Sequence, residues 1–303
     1  MAVKTVGIMS PGDMGHAVGR ALGENGYDVV TCLAGRSEHS RELARAGNMR
    51  DAGSLEALVG GADLVLAIMP PSATLGFARE AAAAMRASGA TPPYADCNAV
   101  SPGTARQIAD VIQAAGAIYI DAGIIGGAPG REAPGRVAPP RFYASGPDIS
   151  ALLELDGKDI DVRPVGDEVG RASAMKMCYA ALTKGTNALY TAVATAAESL
   201  GIADELRAEF ESSQPDAYGK MRAAVPRMAI DAGRWVGEME EIAATFSAAG
   251  VTGKLHEGAA ELFRMLDTTP FAAETRQTID RSRTLEDAVA VYVRHLPGRA
   301  AAD

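Results

Sequence analysis

The spacing of apolar positions changes halfway along the chain. In the first half, short apolar runs alternate with segments of helical spacing. Thr5–Met9, Tyr27–Leu33, Leu64–Met69, Tyr94–Cys97 and Ala117–Asp121 are rich in apolar residues and short enough to be buried strands. Between them, Gly15–Asn25 sets Ala17, Val18, Ala21 and Leu22 on one side of a helix, and Ser40–Ala46 also has helical spacing. Strand, helix and strand in this order predict βαβ units and a mostly parallel, doubly wound sheet. Arg141–Ser145 predicts one further strand, and the Gly- and Pro-rich stretch Gly123–Pro140 predicts a surface loop. After about Gly166 the strand pattern stops. Alanine-rich helices are predicted over Arg171–Leu200, Asp204–Ser212, Asp216–Ala232, Trp235–Ala249, Lys254–Leu266 and Arg283–Arg294. The expected organisation is an α/β domain over residues 1–166 and an all-α domain over residues 167–303.

Composition narrows the partners. The net charge is −9 and the Lys and Arg residues are scattered, which argues against a nucleic-acid surface or binding to an anionic membrane. The run Ala180–Ile202 is broken by Lys184, Asn187 and Glu198, so it reads as a buried helix and not a membrane span. Cys32, Cys97 and Cys178 are far apart and have no zinc-type spacing, which predicts reduced thiols and no metal. The N-terminus MAVKTVGIMSPG reads as a strand and a glycine turn and not as a signal peptide. The expectation is a cytoplasmic protein that acts on a small molecule.

The turn after the first strand carries the first chemistry. Its residues Ser10, Pro11, Gly12, Asp13, Met14 and Gly15 match the dinucleotide fingerprint G-x-G-x-x-G, with serine in place of the first glycine. Gly12 would let the backbone approach a pyrophosphate, Gly15 would let the helix pack closely, and the helix N-terminus would favour the phosphates. The end of the second strand bears on the cofactor. NAD enzymes usually place a carboxylate there for the ribose hydroxyls, whereas this chain has Ala34-Gly35-Arg36-Ser37. A guanidinium at Arg36 and a hydroxyl at Ser37 suit a 2′-phosphate, so the expected cofactor is NADP. The alternative for Arg36 is a solvated loop arginine. His16 could reach the phosphates or act as a polar cap residue, and His39, His256 and His295 share no spacing.

These residues resemble the β-hydroxyacid dehydrogenase superfamily, which includes 6-phosphogluconate and 3-hydroxyisobutyrate dehydrogenases. The likeness lies in the glycine turn ending Asp13-Met14-Gly15, in Ala67-Ile68-Met69-Pro70-Pro71, in Asp96-Cys97-Asn98-Ala99-Val100-Ser101-Pro102 and in Asp121-Ala122-Gly123-Ile124-Ile125-Gly126-Gly127. The second half is similar to a branch of phosphogluconate-dehydrogenase-like oxidoreductases with a C-terminal domain of unknown function, through Ala172–Gly185 and Arg234–Ile242. The resemblance implies a Rossmann domain followed by a helical domain like that of 6-phosphogluconate dehydrogenase. It implies that Met69, Pro70 and Asn98 join the cofactor site and that Ile125, Gly126 and Gly127 form a substrate loop. It also implies a homodimer packed through the helical half. Four departures stand out. Ile125 replaces a serine, Asn98-Ala99 replaces Ser-Thr, Ala180 replaces an asparagine four residues after the position of the family's catalytic lysine, Lys176 here, and Glu240-Glu241 replaces Lys-Asp. Hydroxyls and a cation suited to a substrate carboxylate are thereby missing.

Hydride transfer to or from a nicotinamide requires the protein to manage one proton. Lys176 matches the family's catalytic lysine, and burial beside a nicotinamide cation would lower its pKa. Tyr179, where phosphogluconate dehydrogenases carry a helper histidine, and Lys184 follow it at helical spacing. Tyr179 is the candidate to hold or relay the proton. Lys184 is a candidate for substrate contact, the alternative being a helix-surface lysine. Trp235 is either a pocket wall or a packing anchor. The expected activity is an NADP-dependent dehydrogenase or reductase of a small carbonyl/alcohol pair. The alternatives are an imine reductase and a non-catalytic NADP-binding scaffold.

Overall fold

The computed structural model describes residues 2–130 and 138–298, so part of the predicted 123–140 loop lies outside the described residues. The chain forms two compact units, Met1–Met177 and Cys178–Asp303.

The first unit is built on eight strands, β1 (Thr5–Met9), β2 (Asp28–Thr31), β3 (Arg50–Asp51), β4 (Leu64–Ala67), β5 (Tyr94–Asp96), β6 (Tyr119–Ile125), β7 (Arg141–Ser145) and β8 (Asp161–Pro164). They form one sheet in the order β3-β2-β1-β4-β5-β6-β7-β8, parallel except where β7 runs against β6. The strand order reverses about β1, as expected for a doubly wound sheet. Helices α1 (Asp13–Glu24), α2 (Glu38–Ala46), α3 (Leu55–Gly61), α4 (Pro71–Ser88), α5 (Pro102–Gln113) and α6 (Ser150–Leu153) link the strands. Alternation along the strands makes two cores. Val6, Ile8, Leu64 and Leu66 pack with Val18 and Leu22 of α1. Val65, Ala67, Tyr94 and Tyr119 pack with Leu58, Phe77, Met85 and Ile108 of α3, α4 and α5.

Two local features bear on the site. Pro71 begins α4, because a proline at the first helical position gives up only an N–H that has no helical partner. Gly123–Ile125 is not loop. These residues complete β6, whose seven residues are all buried and whose Asp121–Ile125 stretch pairs with β7.

Helix α7 (Arg171–Leu200) begins in the first unit and continues into the second. There it is followed by α8 (Ala203–Ser213), α9 (Pro215–Ala224), α10 (Ala229–Ala248), α11 (Lys254–Asp267) and α12 (Leu285–Arg294). Met221, Val225, Ala232, Met239, Ile242, Phe263, Leu266, Ala288 and Tyr292 are buried in this unit. The helix expected over Asp216–Ala232 is broken by a 3₁₀ turn at Val225–Arg227, since Pro226 cannot donate an N–H and would clash in a helix interior. Trp235 therefore lies inside α10 and not at a helix start. A capping box between Thr284 and Asp287 starts α12 two residues later than expected. No helix of the described residues is long and apolar enough to cross a membrane.

Candidate active site

The turn between β1 and α1 has the form a pyrophosphate needs. Ser10, standing where the fingerprint has its first glycine, has φ +69° and so adopts the left-handed conformation itself. Its carbonyl accepts a hydrogen bond from Gly12 N at 2.8 Å. A Cβ on Gly15 would lie 2.4 Å from that same carbonyl oxygen, so no side chain fits there. A Cβ on Gly12 would meet nothing within 4 Å. The backbone is thus open at Gly12, which caps α1 without a side-chain bond. Pro11 is buried, Met14 is half-buried and Asp13 is exposed in the first turn. His16 donates from Nδ1 to Gly12 O at 2.9 Å, which makes it part of the turn. These features fit a dinucleotide.

At the end of β2, Gly35 (φ +70°) turns the chain and leaves Arg36 half-buried. Ser37 caps α2, its Oγ accepting from Ser40 N at 3.2 Å, so the hydroxyl expected for a phosphate already serves the helix. Glu38 is turned toward Arg45 at 2.7 Å. Two residues at this corner escaped the sequence reading. Arg41 Nη2 donates to Leu33 O at 2.8 Å and brings a second guanidinium. Asp51, at the end of β3, accepts from Gly53 N and Leu33 N, and these bonds hold its carboxyl below the usual range. The spacing of Arg41, four residues after the cap Ser37, was the available signal for the first. Asp51 had none, because strand pairing brings it there.

The ends of β4 and β5 are tied by one amide. Asn98, 4% exposed, accepts from Met69 N at 2.6 Å and donates to Asp96. Met69 is half-buried, and Pro70 caps α4.

Lys176 is positioned by the start of α7. Asp121, fully buried on β6, accepts from Gly170 N (2.8 Å), Ser173 N (3.2 Å), Ser173 Oγ (2.6 Å) and Ser145 Oγ (3.0 Å). Ser145 Oγ in turn accepts from Ala172 N at 3.0 Å. A buried carboxylate thus caps the first turn, where the helix dipole favours negative charge. One turn on, a Cβ at Gly123 would fall 2.8 Å from Lys176 Cβ and 3.2 Å from Ala172 O, so glycine permits the close approach of helix and strand. The Lys176 ammonium donates to the carbonyl of Ile124. Its side chain is half-buried, with Met177 beside it buried and Met175 and Cys178 exposed. Of the expected substrate loop, Ile125 is 2% exposed within β6, and Gly126 and Gly127 are exposed beyond its end.

In the second unit, Tyr179 is 45% exposed on α7. Lys184 is no surface lysine. It pairs with the buried Glu238, which also receives Arg234 at 3.4 Å. The ammonium lies 5.4 Å from the Trp235 ring centroid, and Trp235 packs edge-on against Phe263.

Comparison with known proteins agrees with this anatomy. Residues 5–136 match the NAD binding domain of 6-phosphogluconate dehydrogenase, and residues 197–266 match a domain of unknown function, DUF1932. A solved conserved protein of unknown function, described as structurally similar to 3-hydroxyacid dehydrogenases, is 25% identical with a TM-score of 0.62, over 86% of this chain and 97% of that one. The Mycobacterium tuberculosis 3-hydroxyisobutyrate dehydrogenase with L-serine shares the fold at 19% identity and a TM-score of 0.64, over 96% of this chain and 99% of that one. A reductive aminase from Aspergillus terreus in complex with NADPH and ethyl levulinate shares it at 19% identity and a TM-score of 0.54, over 87% and 93%. Residues 5–136 thus match an NAD-binding domain of the 6-phosphogluconate dehydrogenase type, residues 197–266 match this domain of unknown function, and the chain shares its fold with a solved 3-hydroxyisobutyrate dehydrogenase.

Proposed function

We propose that the protein is an NADP-dependent reductase or dehydrogenase of a small carbonyl/alcohol pair, with Lys176 as the acid/base. The observation that carries the reading is the placement of the Lys176 amine. Asp121 anchors its helix, Gly123 lets the helix close on β6, and Ile124 O receives the ammonium one residue from the strand end. The open backbone at Gly12 would hold the pyrophosphate, and Arg36, with Arg41 behind it, would hold a 2′-phosphate. The bound nicotinamide supplies or accepts the hydride. Lys176 gives a proton to the substrate oxygen on reduction and takes one on oxidation. Tyr179, three residues on along α7, would orient or relay it.

A second reading, reduction of an imine, is favoured by the departures at Ile125, Ala99 and Ala180, which leave apolar groups where a hydroxy acid would find polar ones. The fold shared with a reductive aminase agrees with it. The test is a panel of hydroxy acids, aldehydes, ketones and imines followed by NADPH absorbance, with Lys176→Ala as control. The expected result is turnover that falls about 10²–10⁴-fold in the variant while NADPH still binds. A variant that keeps most of its turnover sinks the assignment of Lys176, and no turnover with any of the panel favours a cofactor-bound scaffold.

The assembly we propose is a homodimer through the helical half. Leu182, Leu189 and Leu200 are 73%, 61% and 72% exposed on α7, and separations of seven and eleven residues set them on one stripe.

A further inference from the structure

A second cation sits on the sheet face that carries Lys176. In the β6–β7 ladder, Asp121 stands opposite Ser145, Gly123 opposite Tyr143 and Ile125 opposite Arg141. Opposed residues of a ladder share a face, as do residues two apart along a strand. The Ser145–Asp121 hydrogen bond marks this face by contact, and Lys176 lies on it because its Cβ meets the bare side of Gly123. Arg141 is therefore on the Lys176 face. It stands opposite the residue that follows the carbonyl receiving the ammonium.

Among the described residues, the neighbouring strand groups that could satisfy Arg141 already serve Arg163. Asp161, its partner position on β8, gives its carboxylate to Arg163. Tyr143, the next residue on the same face, accepts from that same Arg163 through its hydroxyl. Arg141 is half-buried, and its Nε is buried with no hydrogen-bond partner among the described residues. A guanidinium donor withdrawn from water and left without an acceptor is costly, and a planar oxyanion is its natural complement because two N–H groups can bind two oxygens in parallel.

We propose that Arg141 determines specificity by binding an anionic group of the substrate, a carboxylate or a phosphate ester, beside the carbonyl served by Lys176. This rests on the reading of Lys176 above. It favours an oxo or hydroxy compound bearing a second, charged end over a neutral ketone.

The test uses the full chain loaded with NADPH. Oxo acids are compared with their methyl esters, and phosphorylated aldehydes with their unphosphorylated forms, in the wild type, Arg141→Gln and Arg141→Lys. Calorimetry with malonate and with glycerol phosphate reads anion binding without turnover and separates the two sources of charge. The wild type should prefer one class of anion over its neutral counterpart by about 10- to 100-fold in kcat/KM, the worth of a charge-assisted contact. Arg141→Gln should collapse that ratio to within about threefold and lose the matching anion in calorimetry, with NADPH affinity kept as evidence of folding. Arg141→Lys should fall between, since it keeps the charge and loses the fork. The proposal is overturned if Arg141→Gln keeps the wild-type ratio and anion affinity, or if the wild type binds neither anion. Anion binding that depends on Arg141, in a protein that turns over none of the panel, would uphold the site while refuting the redox assignment.

Discussion

Replacing Gly123 by alanine tests how closely the rate depends on the seat of α7. The new methyl carbon would begin 2.8 Å from Lys176 Cβ and 3.2 Å from Ala172 O. Carbon–carbon contacts settle at roughly 3.5–4.0 Å, so the helix must retreat by roughly 0.7–1.2 Å. Neither obstacle is a flexible side-chain end. The first turn cannot simply slide, because Asp121 and Ser145 hold Gly170, Ala172 and Ser173. The displacement therefore falls on the next turn, which carries Lys176.

Overpacking of this kind costs about 1–3 kcal/mol. Alanine recovers about 0.4–1 kcal/mol by restricting the unfolded chain, since Gly123 is in ordinary strand conformation. The net loss, about 0–2.6 kcal/mol, lowers the melting temperature by up to roughly 10 °C for a unit of this size. The rate should suffer more, because a misplacement of about 1 Å costs up to about 10²-fold. The expected pattern is a kcat down about 10- to 100-fold with NADPH affinity kept, as the Gly12 turn is untouched. In a Lys176→Gly background, which removes the opposing Cβ, Gly123→Ala should destabilise less, with a coupling of about 0.5 kcal/mol or more. Wild-type melting and wild-type kcat in Gly123→Ala would refute the argument outright.

Arg36→Ala should weaken NADPH by about 10- to 150-fold, the worth of about 1.5–3 kcal/mol, and leave NADH nearly unaffected; equal weakening of both in fluorescence titrations would remove the NADP preference. Tyr179→Phe should slow turnover less than Lys176→Ala if it orients the lysine, and the double variant should be far from additive; additive losses would separate the two residues. His256, 7% exposed and 4.6 Å from the Phe246 ring, has its pKa lowered by burial. The unfolded chain then binds a proton more readily, so this contribution to stability is complete above about pH 6.5 and is lost as pH falls from there to the folded pKa. His256→Leu should lose that part of the acid dependence in melts taken across the range, and an unchanged difference would count against it. Leu182→Glu with Leu189→Glu should halve the mass seen by light scattering; a wild type that is already monomeric at micromolar concentration rules out the dimer.

Periodicity gave six of the eight strands and most helices because burial imposes it locally, but it missed β3 and β8, short strands with exposed and charged positions. It failed where a residue's local preference and its tertiary setting disagree. Gly123 reads as loop punctuation, yet it lies in β6 because α7 needs the space its side chain would take. The site divides in the same way. Residues that act through their own backbone, such as Gly12 and Gly15, were visible in the turn. Asp121 was legible only as part of a family block, since its role comes from meeting Gly170 and Ser173 about fifty residues later. Lys184 and Glu238 are 54 residues apart, and no spacing announces their pairing. Arg141 stayed hidden because its face is set by the register of β6 against β7 and not by any motif.

Ser10 shows why the departure from the glycine fingerprint leaves the cofactor turn intact. A left-handed residue with a side chain carries a penalty of about 1–2 kcal/mol, which glycine avoids. The chain accepts that penalty because other groups dictate the conformation. Gly12 N bonds the Ser10 carbonyl, and that carbonyl fills the space at Gly15 where a side chain would be. The shape of the turn is therefore enforced from Gly12 and Gly15, and the identity of residue 10 is a matter of modest energy. Serine is among the small polar residues that suit turns, as its hydroxyl can bond nearby backbone. At Gly15 the opposing atom is a backbone oxygen at 2.4 Å, which no rotamer change can relieve. The fingerprint's third position is thus fixed by sterics, its second by the need for an open backbone, and its first only by conformational preference. Of the three, the position this chain has changed is the one where physics is most forgiving.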